Sequence, residues 1–136
     1  MKKGFLLLLI SVFIITIFGC SNQVKNANVI PDVKTLEILK NDGTDNYKQL
    51  KKISDTETIN KVLSVLRNAD WENAKVSMSR PPDFKINNLY DIWISPEKNR
   101  LEVVIEGESK YVILSKKDSQ VLYEIITGEK LSEIFH

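Results

Sequence analysis

Between Phe5 and Phe18 the chain is apolar for 14 residues, interrupted only by Ser11 and Thr16, and Met1-Lys2-Lys3 stands before that run. A helix that stays in a bilayer needs about 20 apolar residues. The run is therefore too short for a permanent span and suits the apolar core of a signal segment, with Lys2 and Lys3 retained at the anionic cytoplasmic leaflet. Folding then falls to the 117 residues after Gly19, enough for one domain with a modest core. These carry 17 basic and 18 acidic side chains, a formal charge of −1. That balance argues against a nucleic-acid binder, whose footprint is a basic surface.

Ile17-Phe18-Gly19-Cys20 resembles the lipobox of bacterial lipoproteins. The small Gly19 admits a peptidase to the scissile bond, and the Cys20 thiol can carry a thioether-linked diacylglycerol. The resemblance implies cleavage between Gly19 and Cys20 and a protein held to the membrane on its extracytoplasmic face. Two or three acyl chains hold far more firmly than a single myristoyl group. The alternative is an uncleaved N-terminal helix with an incidental cysteine. Cys20 is the sole cysteine, so no disulfide can form within the chain and the fold rests on packing.

Ser21 to Asp32 has few large apolar residues and no period. It reads as a flexible tether following the lipidated cysteine, with a reach of roughly 20 Å. A single domain is expected from Val33 to His136. Val33 to Lys40 alternates like a strand, Asn41-Asp42-Gly43 supplies turn residues, and Tyr47 to Ile53 reads as the returning strand of a hairpin. Ser54 to Ala69 is the clearest helix: Ser54-Asp55-Thr56-Glu57 fits a capping box, and Ile59, Val62, Leu63, Leu66 and Ala69 form one stripe. Lys61, Arg67 and Asn68 face water on this reading, and Trp71 closes the corner of the core.

Alternating Ala74, Val76 and Met78 predict a strand over Glu72 to Ser79, broken by Arg80-Pro81-Pro82-Asp83. The two prolines should take that segment out of the ladder or along an edge. Leu89 to Ser95, Arg100 to Glu106 and Lys110 to Leu114, joined by short turns, predict an antiparallel meander. A second helix spans Ser115 to Thr127, capped by Ser115, buried through Val121, Leu122, Ile125 and Ile126, and stopped by Gly128. Leu131, Ile134 and Phe135 should pack back. The order β-β-α-β-β-β-β-α implies an α+β domain, an antiparallel sheet of five to six strands with both helices on one face.

The sequence offers little for catalysis. The sole histidine is His136, at the terminus, where a Ser-His-Asp arrangement has nothing to orient it. No zinc, calcium or cofactor pattern is present, because Asp42 and Asp45 lack the ligand series of a calcium loop and the glycines are scattered. Ser95-Pro96-Glu97-Lys98 matches Ser-x-x-Lys without the companion motifs of penicillin-recognising enzymes. No catalytic, metal or cofactor residue is therefore assigned.

Two constellations stand out. Asp91 lies mid-strand beside Trp93, and Glu102 and Glu106 share one face of the next strand; paired acids of unequal environment can split glycosidic bonds, although these positions equally suit a solvent-facing sheet. The stronger candidate is a partner-binding surface of Arg80, Pro81, Pro82 and Asp83 with Tyr90, Trp93 and Tyr111, a rigid extended proline pair beside aromatics on adjacent strands. On the other reading, Arg80 and Asp83 tie down a kinked loop while the aromatics fill the core.

Met78-Ser79-Arg80-Pro81-Pro82-Asp83-Phe84, the strand with Tyr90 and Trp93, Tyr111-Val112-Ile113-Leu114-Ser115 and Leu122-Tyr123-Glu124-Ile125-Ile126-Thr127-Gly128 resemble the YhfM-like lipoproteins of bacilli. That resemblance implies a Gram-positive cell-envelope lipoprotein and carries over no catalytic residue. The leading expectation is a membrane-anchored, non-enzymatic module that binds a protein, peptide or envelope component. The alternatives are a small envelope hydrolase using Asp91, Glu102 or Glu106, and an accessory or inhibitory subunit of a membrane protein.

Overall fold

The computed structural model describes residues 30–131. Gly19, Cys20 and the signal segment lie outside the described residues, as do Ile134, Phe135 and His136. Within them β1 (Leu36–Asn41) and β2 (Tyr47–Ile53) form the expected hairpin. Its turn is built from side chains that imitate backbone. Asn41 Oδ1 accepts from Gly43 N at 2.7 Å, and Asp42 Oδ1 accepts from Thr44 N at 2.9 Å. Gly43 at φ 92° and Asp45 at φ 64° supply the left-handed steps that reverse the chain. The register slips between Ile38 and Leu39, leaving Leu50 as a bulge residue 42% exposed.

α1 (Thr56–Arg67) follows directly. Its cap is Asp55, not Ser54: the Asp55 carboxylate accepts from Thr58 N at 2.9 Å and from Thr58 Oγ1 at 2.7 Å. The capping-box partner Glu57 instead reaches forward to Lys61 at 3.4 Å. Ile59, Val62, Leu63, Val65 and Leu66 form its buried stripe. Arg67 does more than face water. It donates to Ile30 O at 3.2 and 3.3 Å and to Asp32 at 2.5 Å, and Ile30 is itself buried. Ile30 and Asp32, expected at the end of the tether, thus contact the domain; residues 21–29 lie outside the described residues.

Four further strands complete the sheet: β3 (Phe84–Ile86), β4 (Tyr90–Ile94), β5 (Leu101–Ile105) and β6 (Tyr111–Ile113). The order is β2-β1-β3-β4-β5-β6, antiparallel throughout. The strand predicted over Glu72 to Ser79 does not form; Glu72 makes a single bridge to Tyr111. The third strand is Phe84–Ile86, immediately after the proline pair. Of the two expected outcomes, Pro81 and Pro82 take the first: they stand outside the ladder, not along an edge, and lead into an interior strand. This is possible because the ladder starts one residue later, where Asp83 N donates to Ile92 O at 2.8 Å and Asp83 O accepts from Asn41 N at 3.0 Å.

α2 (Lys116–Thr127) is capped as expected. Ser115 Oγ accepts from Asp118 N at 3.0 Å, and Gly128 at φ 78° closes the helix by donating to Glu124 O at 2.7 Å. The buried face differs from the prediction: Val121 is 36% exposed, and Tyr123 is buried in its place. Tyr123 packs edge-on against Phe84, ring centroids 6.1 Å apart. No basic residue lies in the last turn of α2, so Lys51 supplies the charge there from β2, donating to Ile125 O at 3.0 Å. Ser119, fully buried, accepts from Leu101 N at 2.9 Å and fastens the helix to β5.

Both helices cover one face. Leu36, Ile38, Phe84, Ile86, Tyr90, Ile92, Leu101, Val103, Ile105 and Val112 meet the stripes of α1 and α2 in one cluster, joined by Leu114 and Leu131. Each fully buried Leu or Ile there contributes roughly 1.5–3 kcal/mol. The alternate side chains, Leu39, Lys85, Asp91, Trp93, Glu102, Val104 and Tyr111, belong to the other face, which carries no helix. No helix among the described residues is long and apolar enough to cross a membrane.

Candidate functional site

After α1 the chain turns at Trp71, whose Nε1 donates to Leu66 O at 2.6 Å. It bridges the β6 edge at Glu72 and then runs to the far end of β4. There Arg80 O accepts from Trp93 Nε1 at 2.9 Å. Trp93 belongs by alternation to the helix-free face, yet it is only 5% exposed. The Arg80 segment is what covers it.

Arg80 and Asp83 lock this segment down. Asp83 receives Arg80 through both carboxylate oxygens, at 2.7 and 2.9 Å, and its Oδ2 also accepts from Ile94 N at 2.7 Å. Arg80 completes the ring by donating to Ile94 O at 2.9 Å. The planar fork of arginine suits this bidentate geometry. The hydrogen bonds to Asp83 hold the guanidinium above its ordinary pKa. Pro82 O accepts from Tyr47 Oη at 2.8 Å, tying the prolines to the hairpin.

Clefts open on either side of the Arg80–Asp83 pair. One, of about 500 Å³, is lined by Met78, Ser79, Arg80, Ile94, Pro96 and Glu102, among others. Ser95 and Lys98 line it too, so the Ser-x-x-Lys match falls on the turn between β4 and β5. The Ser95 hydroxyl there accepts from Arg100 N at 3.2 Å. The other cleft, of about 460 Å³, lies toward the β1–β2 turn, with Lys40, Pro81, Phe84 and Tyr123 in its wall.

Of the residues singled out in the sequence, Arg80, Pro81, Pro82, Asp83 and Trp93 do come together. Tyr90 does not. It is 2% exposed on the helix-covered face, because it alternates with Trp93 across β4. Burial raises its hydroxyl above its ordinary pKa. Tyr111 is on the helix-free face and donates to Glu102 Oε1. Burial first, then that hydrogen bond, push the phenol pKa well up. Glu102, which sequence reasoning placed with the acids, thus belongs to the wall of the first cleft.

The remaining carboxylates sit elsewhere on that face. Lys85 Nζ lies 3.3 Å from Asp91 Oδ1 and 3.9 Å from Glu106 Oε2, with the Tyr47 ring centroid 5.2 Å away. Asp91 Oδ1 is buried and accepts no well-directed hydrogen bond, so the ammonium contact is its compensation. Burial raises the Asp91 pKa above its ordinary value, and Lys85 pulls it only part of the way back. Neither Asp91 nor Glu106 lines the two clefts. Among the described residues no group of His, Cys, Asp and Glu could hold a metal ion. Sequence reasoning missed Lys85 and Tyr47. The β3 register that opposes Lys85 to Asp91 is the needed signal, and a third strand expected at Glu72 to Ser79 conceals it.

No protein-family model and no curated protein matches the chain. Among solved structures, a thioesterase-like protein from Clostridium sporogenes ATCC 15579 is similar, with a TM-score of 0.53 and 15% identity, covering 71% of this chain and 95% of that one. At that identity the likeness extends to the fold alone: this chain shares the architecture of a thioesterase-like protein.

Proposed function

We propose that this chain is a lipid-anchored extracytoplasmic lipoprotein whose single domain binds a protein, peptide or envelope component at the 500 Å³ cleft beside Arg80 and Asp83. The observation that carries the binding role is the state of the cleft's polar groups. Arg80, Asp83, Glu102 and Ser95 are each engaged in hydrogen bonds within the domain. Such a wall is rigid and preorganised for recognition. The lipobox-like Ile17-Phe18-Gly19-Cys20 and the resemblance to YhfM-like lipoproteins support the anchor. Ser79→Trp fills the cleft and removes no hydrogen bond; it should abolish crosslinking to the partner while leaving the melting temperature unchanged. Retained crosslinking would contradict the assignment. For the anchor, globomycin or Cys20→Ala should leave unprocessed precursor without labelled palmitate, and normal processing would overturn it.

The second reading is an envelope hydrolase, favoured by the fold shared with a thioesterase-like protein. Asp91, with its raised pKa, and Glu106 both reach the Lys85 ammonium. Turnover of acyl thioesters or glycosides that disappears in Asp91→Asn would establish it, and no turnover above buffer would end it.

A further inference from the structure

Residues 73–79 have the burial pattern of a β-strand and no strand beside them. Ala74, Val76 and Met78 are half-buried, and Lys75, Ser77 and Ser79 are exposed between them. Yet no residue from 73 to 79 makes a backbone–backbone hydrogen bond among the described residues. The segment is held at its start by Glu72, paired with Tyr111, and by Asn73 Oδ1, which accepts from Lys110 Nζ. At its end Arg80 O accepts from Trp93 Nε1. The segment is anchored at both ends, and between the anchors its main-chain donors and acceptors pair with no other backbone group among the described residues. Backbone groups of that kind are obligatory hydrogen-bonding groups, and an extended polypeptide satisfies them in register.

We propose that residues 73–79 receive an extended peptide segment of a partner by strand addition, with one of its side chains entering the 500 Å³ cleft. This rests on the binding role proposed above and names its ligand class. Continuity of the segment and the cleft supports it, because Met78 and Ser79 belong to both. Main-chain pairing gives affinity in this mode, and the cleft gives selectivity. About six backbone hydrogen bonds are on offer along seven residues of one edge. With Arg80 already paired to Asp83, charge complementarity to an acidic segment comes from Lys75 within residues 73–79 and Lys110 beside them, a stretch that carries no acid of its own.

The test pans a display library of random peptides against the purified full-length protein in detergent, then follows amide hydrogen exchange with a selected peptide bound. The expected result is enrichment of peptides rich in Asp and Glu, slowed exchange at residues 74–79, and about tenfold weaker binding to Lys75→Pro/Ser77→Pro, which lacks two donors. The exchange measurement uses the unaltered chain, so it stands even where the prolines disturb the fold. Selection of no peptide, or of basic ones, overturns the proposal. Binding with residues 74–79 unprotected overturns it as well. In that case loss of binding in Ser79→Trp leaves the cleft reading standing, and unchanged binding removes both. Protection that rises with protein concentration, without peptide, gives the edge to a second copy and also overturns it.

Discussion

Asp83→Ala should be the most damaging single change in the cleft wall, and its cost can be worked from its three contacts. The half-buried Ile94 N–H, now 2.7 Å from Asp83 Oδ2, loses its acceptor. Leaving such a donor unmade costs about 1–3 kcal/mol. The Arg80 pair adds only about 0–1 kcal/mol, because the Arg80 side chain is 49% exposed and its guanidinium can hydrate. The sum, about 1–4 kcal/mol, lowers Tm by about 4–8 °C for each kcal/mol in a domain of about 100 residues. Arg80→Ala should cost about 1 kcal/mol, since Asp83 still accepts from Ile94 N. Asp83→Asn should fall between them, because its amide oxygen can still accept from Ile94. Urea and thermal unfolding followed by circular dichroism measure all three. Equal losses for Asp83→Ala and Arg80→Ala would instead place the damage in the ion pair and not in the Ile94 donor. For the same reason Asp83→Ala is a poor probe of binding, and Ser79→Trp a better one.

Other outcomes follow from single contacts. Ser119→Ala removes the acceptor of the Leu101 N–H inside the core and should cost about 2 kcal/mol in denaturant unfolding; Ser77→Ala, at an exposed position with no bond, should cost nothing measurable. Gly128→Ala places a side chain at φ 78° and should lower stability by about 1 kcal/mol, read from the shift in urea midpoint. The folded Asp91 carboxyl has its pKa above the ordinary 3.8, so the folded state holds its proton at pH values where the unfolded state has released it. Stability from this group is therefore gained on acidification toward pH 4 and lost as pH rises through the folded pKa. Asp91→Asn should flatten that part of the stability–pH curve, and an unchanged curve would contradict the burial argument.

The fold was legible where local chemistry and pattern agreed. The Asn41-Asp42-Gly43 turn, the Ser115 cap, the Gly128 stop and the alternation of Leu101, Val103 and Ile105 each specify one structure. The errors share a physical cause. Ala74, Val76 and Met78 carry the period of a strand, but a strand also needs a neighbour, and pairing partners are a tertiary property that periodicity cannot supply. Phe84-Lys85-Ile86 is too short to announce itself, yet it takes the interior place because Asp83 bridges β1 and β4 ahead of it. Just ahead of the first turn of α1, Ser54 and Asp55 offer competing caps, and the Asp55 carboxylate takes both donors of Thr58.

The site was legible in part for a related reason. Arg80 and Asp83, three apart around a rigid proline pair, could be read as a unit from the sequence. Tyr90 could not be excluded until the face of β4 that meets the helices was known. Trp93 illustrates the reverse: its burial comes from the Arg80 segment lying over the helix-free face, and nothing in its own strand foretells that cover.

The proposed meeting place of this domain and its partner is the cleft beside Arg80 and Asp83. A photo-reactive residue placed at Ser79 in living cells, compared with one at Val121 on the outer face of α2, reports whether a partner occupies that cleft. One defined adduct is expected from Ser79 and none from Val121, and the Ser79 adduct should be lost when the partner's binding segment is deleted. Adducts equally abundant from both positions, or absent from Ser79, would contradict that assignment.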